Sequence, residues 1–388
     1  MKVTRSVKCH FSEWLTDTKK RQLKRYLSEY HRVVTEAIKL FETGICNGQK
    51  KTDLLLAKNL IQVNSWFTAR AKKNAFAEAY GLVKGTWESA KALKKTYKTP
   101  THLNQMMLSE TCSKLVLETK LKGHDLLVDV FCMDGFKTRN IAIPLKRNRL
   151  FNKYLRDGWT LANTVTVHRD YVQFTFHKEV PKKKDGGIVG VDPGATNLLS
   201  TDDGKFFGTD IRRLLDKLKR KKRCSRAWYA CRNEIQQYID KALKDLVTLP
   251  DLQLLVLEDN KKIKFKSKLK GRLSKNMRSV LSGWAIGRIN VRSEMLCEAN
   301  GVSFRRVPAY RNSCTCPGCG STEKRNRASQ AEFICVDCGS VYHADTVGGM
   351  NSLARFCLGK YGSEYKQAFQ VKHPSYFGCI DIDLPKFA

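Results

Sequence analysis

Residues 188–207 read IVGVDPGATNLLSTDDGKFF, and this stretch decides the fold of the C-terminal half of the chain. Its first four residues form a short apolar run, which is typical of a buried strand. The run ends at Asp192, where the sequence Pro-Gly predicts a turn. A second short strand is expected directly after that turn.

The chain downstream of this stretch alternates between helical and extended patterns. Two basic helical segments are predicted within 211–247, and LQLLVLEDN at 252–260 is an apolar run typical of a buried strand. Helical spacing returns over 279–300, and 302–307 predicts a further strand. Strands mixed with helices indicate an α/β domain.

Three carboxylates stand at informative positions in this domain. Asp192 and Glu258 end two of the predicted strands, and Asp345 precedes a predicted helix over 346–358. Ligands bind at strand ends in α/β folds, and anions held against an apolar sheet are costly without a cation. Such a triad can hold two Mg²⁺ ions about 4 Å apart. The sequence therefore predicts a phosphodiester-cleaving site, in which one metal generates the attacking hydroxide and the other stabilises the leaving 3′ oxygen.

Each carboxylate also has a simpler interpretation when it is taken alone. Asp192 in D-P-G is compatible with a residue that only begins a turn. Glu258 is compatible with a strand end that faces solvent, and Asp345 with a helix N-cap. The metal-site interpretation depends on the three residues taken together.

A spaced set of cysteines predicts a zinc ribbon. Two C-x2-C pairs are separated by 15 residues, and a glycine follows each pair, Gly320 and Gly339. This spacing gives tetrahedral Zn²⁺ four thiolate ligands, and the glycines let turn amides approach the sulfurs. The predicted ligands of one structural Zn²⁺ are Cys316, Cys319, Cys335 and Cys338. A pair of reduced turns without metal is the alternative, and Cys314 is a possible alternative ligand.

The charge balance points to a polyanionic partner. The 388 residues include 71 Lys and Arg against 37 Asp and Glu, which gives a formal charge of +34. Nucleic acid is the leading candidate, because neutralised phosphates release counterions. A membrane surface is the rival, but the sequence has no long apolar span and its start lacks the apolar core of an export signal. Fourteen cysteines without such a signal favour a reducing compartment.

Two segments carry most of the basic residues near the predicted metal site. Segment 211–232 contains ten Lys or Arg, and segment 258–278 contains nine. Phosphate contact is favoured over a merely solvated helix face, because the segments flank the acidic site. The candidate nucleic-acid contacts are Arg220, Lys221, Lys222, Arg223, Lys261, Lys262 and Lys264. Trp228, Tyr229 and Trp284 are candidates for base stacking, although core packing is the favoured role of Trp284.

The N-terminal half shows a change of period. Residues 3–11 predict a strand, 13–112 a largely helical block, and 114–180 strands with hairpins. The predicted helical pieces are 53–63, 65–80, 83–96 and 102–112. The first strand is expected to join the later ones, so that the helical block is an insertion in a β-domain. The charged, glycine-ended stretch at 181–187 is the clearest boundary.

The motifs together resemble TnpB, the transposon-encoded RNA-guided nuclease, and the compact type V CRISPR effectors. GVDPGATNLLS and LVLEDN resemble the first two RuvC motifs, on Asp192 and Glu258. SCTCPGCG and FICVDCG resemble the zinc ribbon of the family. HADTVGGMN resembles the third motif, with Asp345 as the last carboxylate and Asn351 on the following helix. The resemblance covers a little under half of the chain.

Two departures from the family pattern concern the third motif. The usual alanines are Gly348 and Gly349, which are expected to loosen the helix, and the arginine often found before the last aspartate is Ala344. All three carboxylates remain, which argues against a degraded copy.

The resemblance implies a RuvC-like (RNase H-like) α/β nuclease domain with an inserted four-cysteine zinc ribbon, preceded by a β-barrel wedge domain that is interrupted by a helical recognition lobe. The implied boundaries are 1–12 and 113–181 for the wedge barrel, 13–112 for the recognition lobe, 186–311 for RuvC motifs I and II, 312–342 for the zinc ribbon, and 343–388 for motif III and the tail.

The resemblance thus implies a Mg²⁺-dependent, RNA-guided DNA endonuclease of the prokaryotic cytoplasm, which acts at the nucleoid and whose partners are a guide RNA and target DNA. Two rivals stay open: an RNA-guided DNA-binding protein that silences transcription with little cleavage, and a RuvC-class nuclease that works without a guide. The sequence leaves open whether the protein is a monomer or a homodimer.

Overall fold

A computed structural model of the chain describes most of its residues. The described ranges are 1–46, 63–119, 125–134, 140–259, 286–329 and 331–376. The chain divides into two compact units, one formed by Lys2–Lys178 and the other by Met1 with Glu179–Ala388.

The unit Lys2–Lys178 contains two antiparallel sheets. The first has the strand order β1-β7-β6-β2, and the second has the order β3-β4-β5. Their bounds are β1 Lys2–His10, β2 Met106–Leu108, β3 Ser113–Val116, β4 Leu126–Val130, β5 Ile141–Leu145, β6 Thr160–Val167 and β7 Tyr171–Glu179. The first strand does join the later ones, since β1 is the neighbour of β7, and β6 and β7 form the predicted hairpin.

Helices α1, Asp17–Cys46, and α2, Ala69–Ala92, pack against each other in the same unit, and α3 spans Arg149–Arg156. Apolar residues at three- and four-residue spacing in α1, such as Tyr30, Val33 and Val34, are fully buried in one core.

Two helical predictions in this unit need correction. Residues 102–112 do not form a helix, because Met106–Leu108 is strand β2 and pairs antiparallel with β6. A three-residue strand is too short to show an alternating pattern, so the sequence around it favours a helical interpretation. The pieces predicted at 65–80 and 83–96 are a single helix that continues through Gly81. The predicted piece at 53–63 lies almost entirely outside the described residues.

The second unit contains a five-stranded sheet with the order β10-β9-β8-β11-β12. The bounds are β8 Gly187–Asp192, β9 Leu199–Thr201, β10 Phe206–Phe207, β11 Leu252–Asp259 and β12 Ser303–Pro308. Strands β8, β11 and β12 are parallel, and β9 turns back antiparallel to β8. The carboxyl ends of the three parallel strands therefore meet at one edge of the sheet.

Both faces of this sheet are covered, which explains the unbroken apolar run in β11. Leu255 and Leu257 face one core, and Leu254 and Val256 face another. The first core is completed by helices α4 Ile211–Lys219, α5 Arg226–Val247 and α6 Ile286–Ala299. The second is completed by helices α7 Ala344–Cys357 and α8 Lys366–Lys372.

Helix α7 lies directly on β8 because glycines face each other at the contact. A Cβ atom on Gly190 would lie 2.6 Å from the Cβ of Leu353, and one on Gly349 would lie 2.8 Å from the amide nitrogen of Asp202. Since real side chains do not approach so closely, the glycines bring the helix backbone onto the strand. Gly349 thus allows a close approach, whereas the sequence alone predicts only a looser helix.

Among the described residues, no helix has the length and apolar character needed to cross a membrane. The cysteines whose side chains the structure describes are all free thiols.

Candidate active site

Asp192 ends β8 at the carboxyl edge of the sheet, with its carboxyl group directed toward helix α7. Burial raises the pKa of this carboxyl well above its usual range, and the charge of Glu258 and a hydrogen bond shared with it raise the pKa further. Asp345 adds a smaller effect in the same direction, while Arg327 opposes it. Asp192 therefore lies within electrostatic reach of both other predicted acids.

Glu258 and Asp345 are both buried, with exposed fractions of 8% and 7%. Glu258 lies near the end of β11, in register with Val307 of β12. Asp345 lies in the first turn of α7, and its two carboxylate oxygens accept hydrogen bonds from separate donors. Asn197 Nδ2 donates to one oxygen at 3.1 Å, and Arg327 Nη2 donates to the other at 3.2 Å.

Asp192 thus shares a hydrogen bond with Glu258 and lies within electrostatic reach of Asp345, although the three acids come from distant segments of the chain. Burial first, and the neighbouring acids second, raise the pKa of Asp192, because both disfavour its charged form. A divalent cation would relieve the repulsion, and carboxylate oxygens are the ligands that Mg²⁺ prefers. The donor set therefore fits a magnesium site, although the role of each residue stays a prediction.

Gly348 provides the space in which the Asp192 carboxyl lies. A Cβ atom on Gly348 would be 2.7 Å from Cγ of Asp192 and 2.9 Å from its Cβ.

Asn197 and Arg327 are the neighbours of the acids that sequence reasoning missed. Asn197 stands five positions after Asp192, inside the first motif, so its nearness could have been noted. Arg327 follows the short 3₁₀ turn Lys324–Asn326 between the two cysteine pairs, and no local pattern marks it.

The four predicted zinc ligands lie together. Their sulfur atoms are all within 4.8 Å of one another, and Cys314 is not among them. The Sγ atoms of Cys316 and Cys338 are 3.7 Å apart, and those of Cys319 and Cys335 are 3.5 Å apart. Four thiols in this arrangement fit tetrahedral Zn²⁺, as their spacing predicts.

The glycines after each cysteine pair close the two turns. Gly320 and Gly339 have φ of +81° and +72°, a conformation that glycine adopts without strain. The amide of each donates to the carbonyl of the first cysteine of its pair, at 3.0 and 2.9 Å. Turn amides approach the sulfurs as the sequence predicts: the amides of Ser321 and Ser340, which follow the two glycines, hydrogen-bond the thiols of Cys319 and Cys338, and that of Gly318 lies 3.3 Å from Cys316 Sγ.

The ribbon fold also positions Arg327. The preceding residue, Asn326, is fully buried, and its Nδ2 donates to the carbonyls of Cys314 and Ser321 at 3.1 and 3.2 Å. Its Oδ1 accepts from the amide of Val336 at 3.0 Å. Asn326 thereby joins both halves of the ribbon, and the next side chain reaches Asp345.

Comparisons with known proteins agree with these features. Residues 287–352 match the family model of the Cas12f1-like TNB domain. The chain is 27% identical over 269 residues to InsQ of Escherichia coli K12, which is described as a putative RNA-guided DNA endonuclease. The chain is thus a relative of the TnpB-like compact type V effectors. The alignment spans 57% of this chain and 65% of InsQ, less than two thirds of the length of that relative.

Solved structures of compact effectors share the fold of this TnpB-like chain. A Cas12f1–sgRNA–target DNA complex matches with a TM-score of 0.53, 11% identity, and coverage of 87% of this chain and 82% of that one. The mini-RNA-guided endonuclease CRISPR-Cas_phi3 matches with a TM-score of 0.52, 11% identity, and coverage of 91% and 92%. At such low identity these matches concern the fold alone.

Asn351 of this TnpB-like chain connects helix α7 to the segment before the zinc ribbon. It is buried on α7, and its Nδ2 donates to the carbonyls of Asn312 and Thr315 at 2.6 and 2.9 Å. Asn312 in turn donates to the Gly348 carbonyl at 3.2 Å. These bonds fix the segment that enters the zinc ribbon onto the helix that carries Asp345.

The basic residues predicted to contact nucleic acid are only partly described. The four residues from Arg220 to Arg223 lie exposed where α4 gives way to α5. Tyr229 is half exposed nearby, and the Arg232 guanidinium lies 4.9 Å from the ring centroid of Trp228. The predicted contacts Lys261, Lys262 and Lys264, together with Trp284, lie outside the described residues.

Proposed function

We propose that this protein is an RNA-guided DNA endonuclease whose metal site is formed by Asp192, Glu258 and Asp345. The observation that carries the proposal is the close approach of three acids from separate segments at one sheet edge. Relatedness to InsQ and the shared fold with Cas12f1 support the same conclusion.

The chemistry follows from the position of these side chains. Two Mg²⁺ ions, when bound, would activate the attacking water and stabilise the leaving 3′ oxygen. Asn197 donates a hydrogen bond to one oxygen of Asp345. This bond would orient the carboxylate before a metal binds. Arg327 is a hydrogen-bond donor at the same site, and its guanidinium would be suited to contact a phosphate oxygen of the substrate.

The zinc ribbon would act as a structural part of this site. A single Zn²⁺ on Cys316, Cys319, Cys335 and Cys338 would fix the turn that holds Asn326, and through it Arg327. A zinc site closed by four thiolates leaves no position for a reactant, so its contribution is stability and placement.

Guide RNA and target DNA are the proposed partners. The charge of +34 suits a polyanion, and the exposed residues Arg220 to Arg223 offer a phosphate-binding surface in the described part of the chain. The unit Lys2–Lys178 would serve as a wedge barrel with a helical recognition lobe, and the lobe would end ahead of β2 rather than at 112. The protein would act in the cytoplasm, as a monomer or a homodimer.

The decisive experiment compares wild-type protein with Asp192→Ala, each purified with the RNA that accompanies it. Sequencing that RNA gives the guide, from which a matching duplex DNA is made. Wild type is expected to cut it only with Mg²⁺, while Asp192→Ala binds it but leaves it intact. Asp245→Ala, which removes an exposed acid from α5, should cut like wild type. Cutting by Asp192→Ala would contradict the assignment, and intact DNA with wild type would favour a silencing binder.

A further inference from the structure

Tyr310 stands beside the proposed metal site at the end of β12. Its side chain is 65% exposed. The last residues of β12 pair with those of β11, with Val307 opposite Glu258 and Pro308 opposite Asp259. Tyr310 follows the strand by two residues, and the Arg355 guanidinium that donates to its carbonyl also lies within electrostatic reach of Glu258.

The backbone under this ring is firmly held. The guanidinium of Arg355, on α7, donates to the carbonyl of Pro308 at 2.6 Å and also to that of Tyr310. The next residue, Arg311, has φ of +52°, a conformation that is costly for a residue with a side chain. Its carbonyl accepts from Thr315 Oγ1 at 2.9 Å and from the Cys314 amide at 3.1 Å. The chain is thus fixed in a strained form that presents the ring to solvent.

A cation accompanies the exposed ring. The Arg311 guanidinium lies 5.5 Å from the ring centroid of Tyr310 and is itself exposed. An aromatic face with an adjacent guanidinium matches the two parts of a single-stranded nucleotide, a flat base and a charged phosphate. A rigid, exposed pair of this kind beside an acidic metal site is suited to holding a strand near the cutting point.

We propose that Tyr310 and Arg311 form a stacking platform for a nucleotide that flanks the scissile phosphate of single-stranded DNA. Tyr310 stacks on the base, and Arg311 contacts the backbone phosphate. Both act as positioning residues, because they hold the strand so that its next phosphate meets Asp192, Glu258 and Asp345. This inference rests on the proposed nuclease function and adds a contact to the substrate.

The test combines protein variants with DNA that lacks one base. Guided cleavage by wild type, Tyr310→Ala and Tyr310→Phe is measured on target DNA carrying an abasic site at each position around the cut. Tyr361→Ala is the matched control, since Tyr361 is 76% exposed but follows the end of α7 that is opposite to Asp345. Arg311→Asn removes the cation and keeps a residue that tolerates the left-handed backbone.

On intact target, Tyr310→Ala is expected to slow cleavage about 5- to 150-fold, the factor that corresponds to the loss of one base-stacking contact in the transition state. Tyr310→Phe and Tyr361→Ala should cut like wild type, and Arg311→Asn should cut more slowly. In wild type, one abasic position beside the cut should cause a similar loss, and Tyr310→Ala should be insensitive to that position. Such non-additivity requires contact between the ring and that base.

Other results would overturn the platform. If Tyr310→Ala cuts as fast as Tyr361→Ala, or if every abasic position slows both proteins equally, the ring does not stack on the strand. If wild type itself leaves the intact target uncut, the nuclease proposal fails, and this outcome is distinguishable from the others.

Discussion

Gly348 and Asp192 are in such close contact that a Cβ atom on the glycine would lie 2.7 Å from the carboxyl carbon of the aspartate. The contact joins the third motif, on α7, directly to the first, on β8. The position of the Asp192 carboxyl therefore depends on the absence of a side chain on the helix.

Replacement of Gly348 by alanine is expected to reduce cleavage by about tenfold or more, because Asp192 or α7 must shift and small displacements of catalytic groups are costly. The chain should still fold, since the change adds a single methyl group. Single-turnover cleavage measures the loss. Gly287→Ala is the control, because a Cβ there meets no atom within 4 Å. Equal cleavage rates for Gly348→Ala and Gly287→Ala would contradict the prediction, because the site would then tolerate a methyl group beside Asp192.

Replacement of Asp192 by asparagine is expected to stabilise the metal-free protein. The folded-state pKa of Asp192 is raised, so its ionised form costs stability at any pH above its usual pKa. The variant should therefore unfold at a Tm about 2–4 °C higher at pH 7, which corresponds to about 1 kcal/mol in a unit of this size.

The gain in Tm should disappear as the pH falls below the usual pKa of an aspartate, because wild-type Asp192 is then protonated in both states. Added Mg²⁺ should reduce the difference in Tm between the variant and the wild type at pH 7, because it stabilises only the wild type. Thermal unfolding at several pH values, with and without Mg²⁺, measures both effects. A lower Tm for the variant than for the wild type in metal-free buffer would contradict the raised pKa of Asp192.

Replacement of Cys335 by serine is expected to remove zinc and to reduce cleavage about tenfold or more, since Arg327 loses its support. Metal content per chain, measured by mass spectrometry, should fall from one zinc to none. Cys314→Ser is the matched control and should retain both zinc and activity, because its thiol is outside the cluster. Full zinc content in Cys335→Ser would reject the four-thiolate site.

Two adjacent aspartates should differ sharply in their effect on stability. Asp202 is buried and contacts Lys372 Nζ at 2.7 Å, His373 Nε2 at 2.8 Å and the Gly190 amide at 2.9 Å. Asp202→Ala leaves the buried Gly190 amide without its acceptor and should cost about 1–3 kcal/mol. The neighbour Asp203 has a more exposed pairing with Lys205, and Asp203→Ala should cost about 1 kcal/mol or less.

Urea unfolding measures this difference between the two aspartates. Equal losses of stability in both variants would show that the bonds from α8 to the sheet contribute little. A loss only in Asp202→Ala would confirm that α8 is fastened to β8 through this carboxylate.

The elements with strong local patterns were predictable from the sequence. The apolar run of β11 indicates a buried strand, because both of its faces are covered, and the cysteine spacing predicts the cluster. Strand β2 was missed because three residues cannot display a period, and its partner β6 is far away in the chain. Tertiary pairing alone decides such a strand.

The site was predictable only as far as its acids. Asp192 and Glu258 end predicted strands, and the strand pattern by itself therefore places them at one edge of a sheet. Arg327 contacts Asp345 because the hydrogen bonds of Asn326 connect the two halves of the zinc ribbon. No local sequence pattern around Arg327 predicts this contact. From the sequence alone, the glycines of α7 predict a loosened helix. Their role in close packing was not predictable, because the packing partner, β8, lies more than a hundred residues earlier in the chain.

Binding of Mn²⁺ by calorimetry is the most direct measurement of the claim that the three acids form one cation site. Wild-type protein is expected to bind Mn²⁺ with a signal that is lost in each of Asp192→Ala, Glu258→Ala and Asp345→Ala, and kept in Asp245→Ala. Undiminished binding in any one of the three variants would contradict the account, because that residue would then lie outside the site.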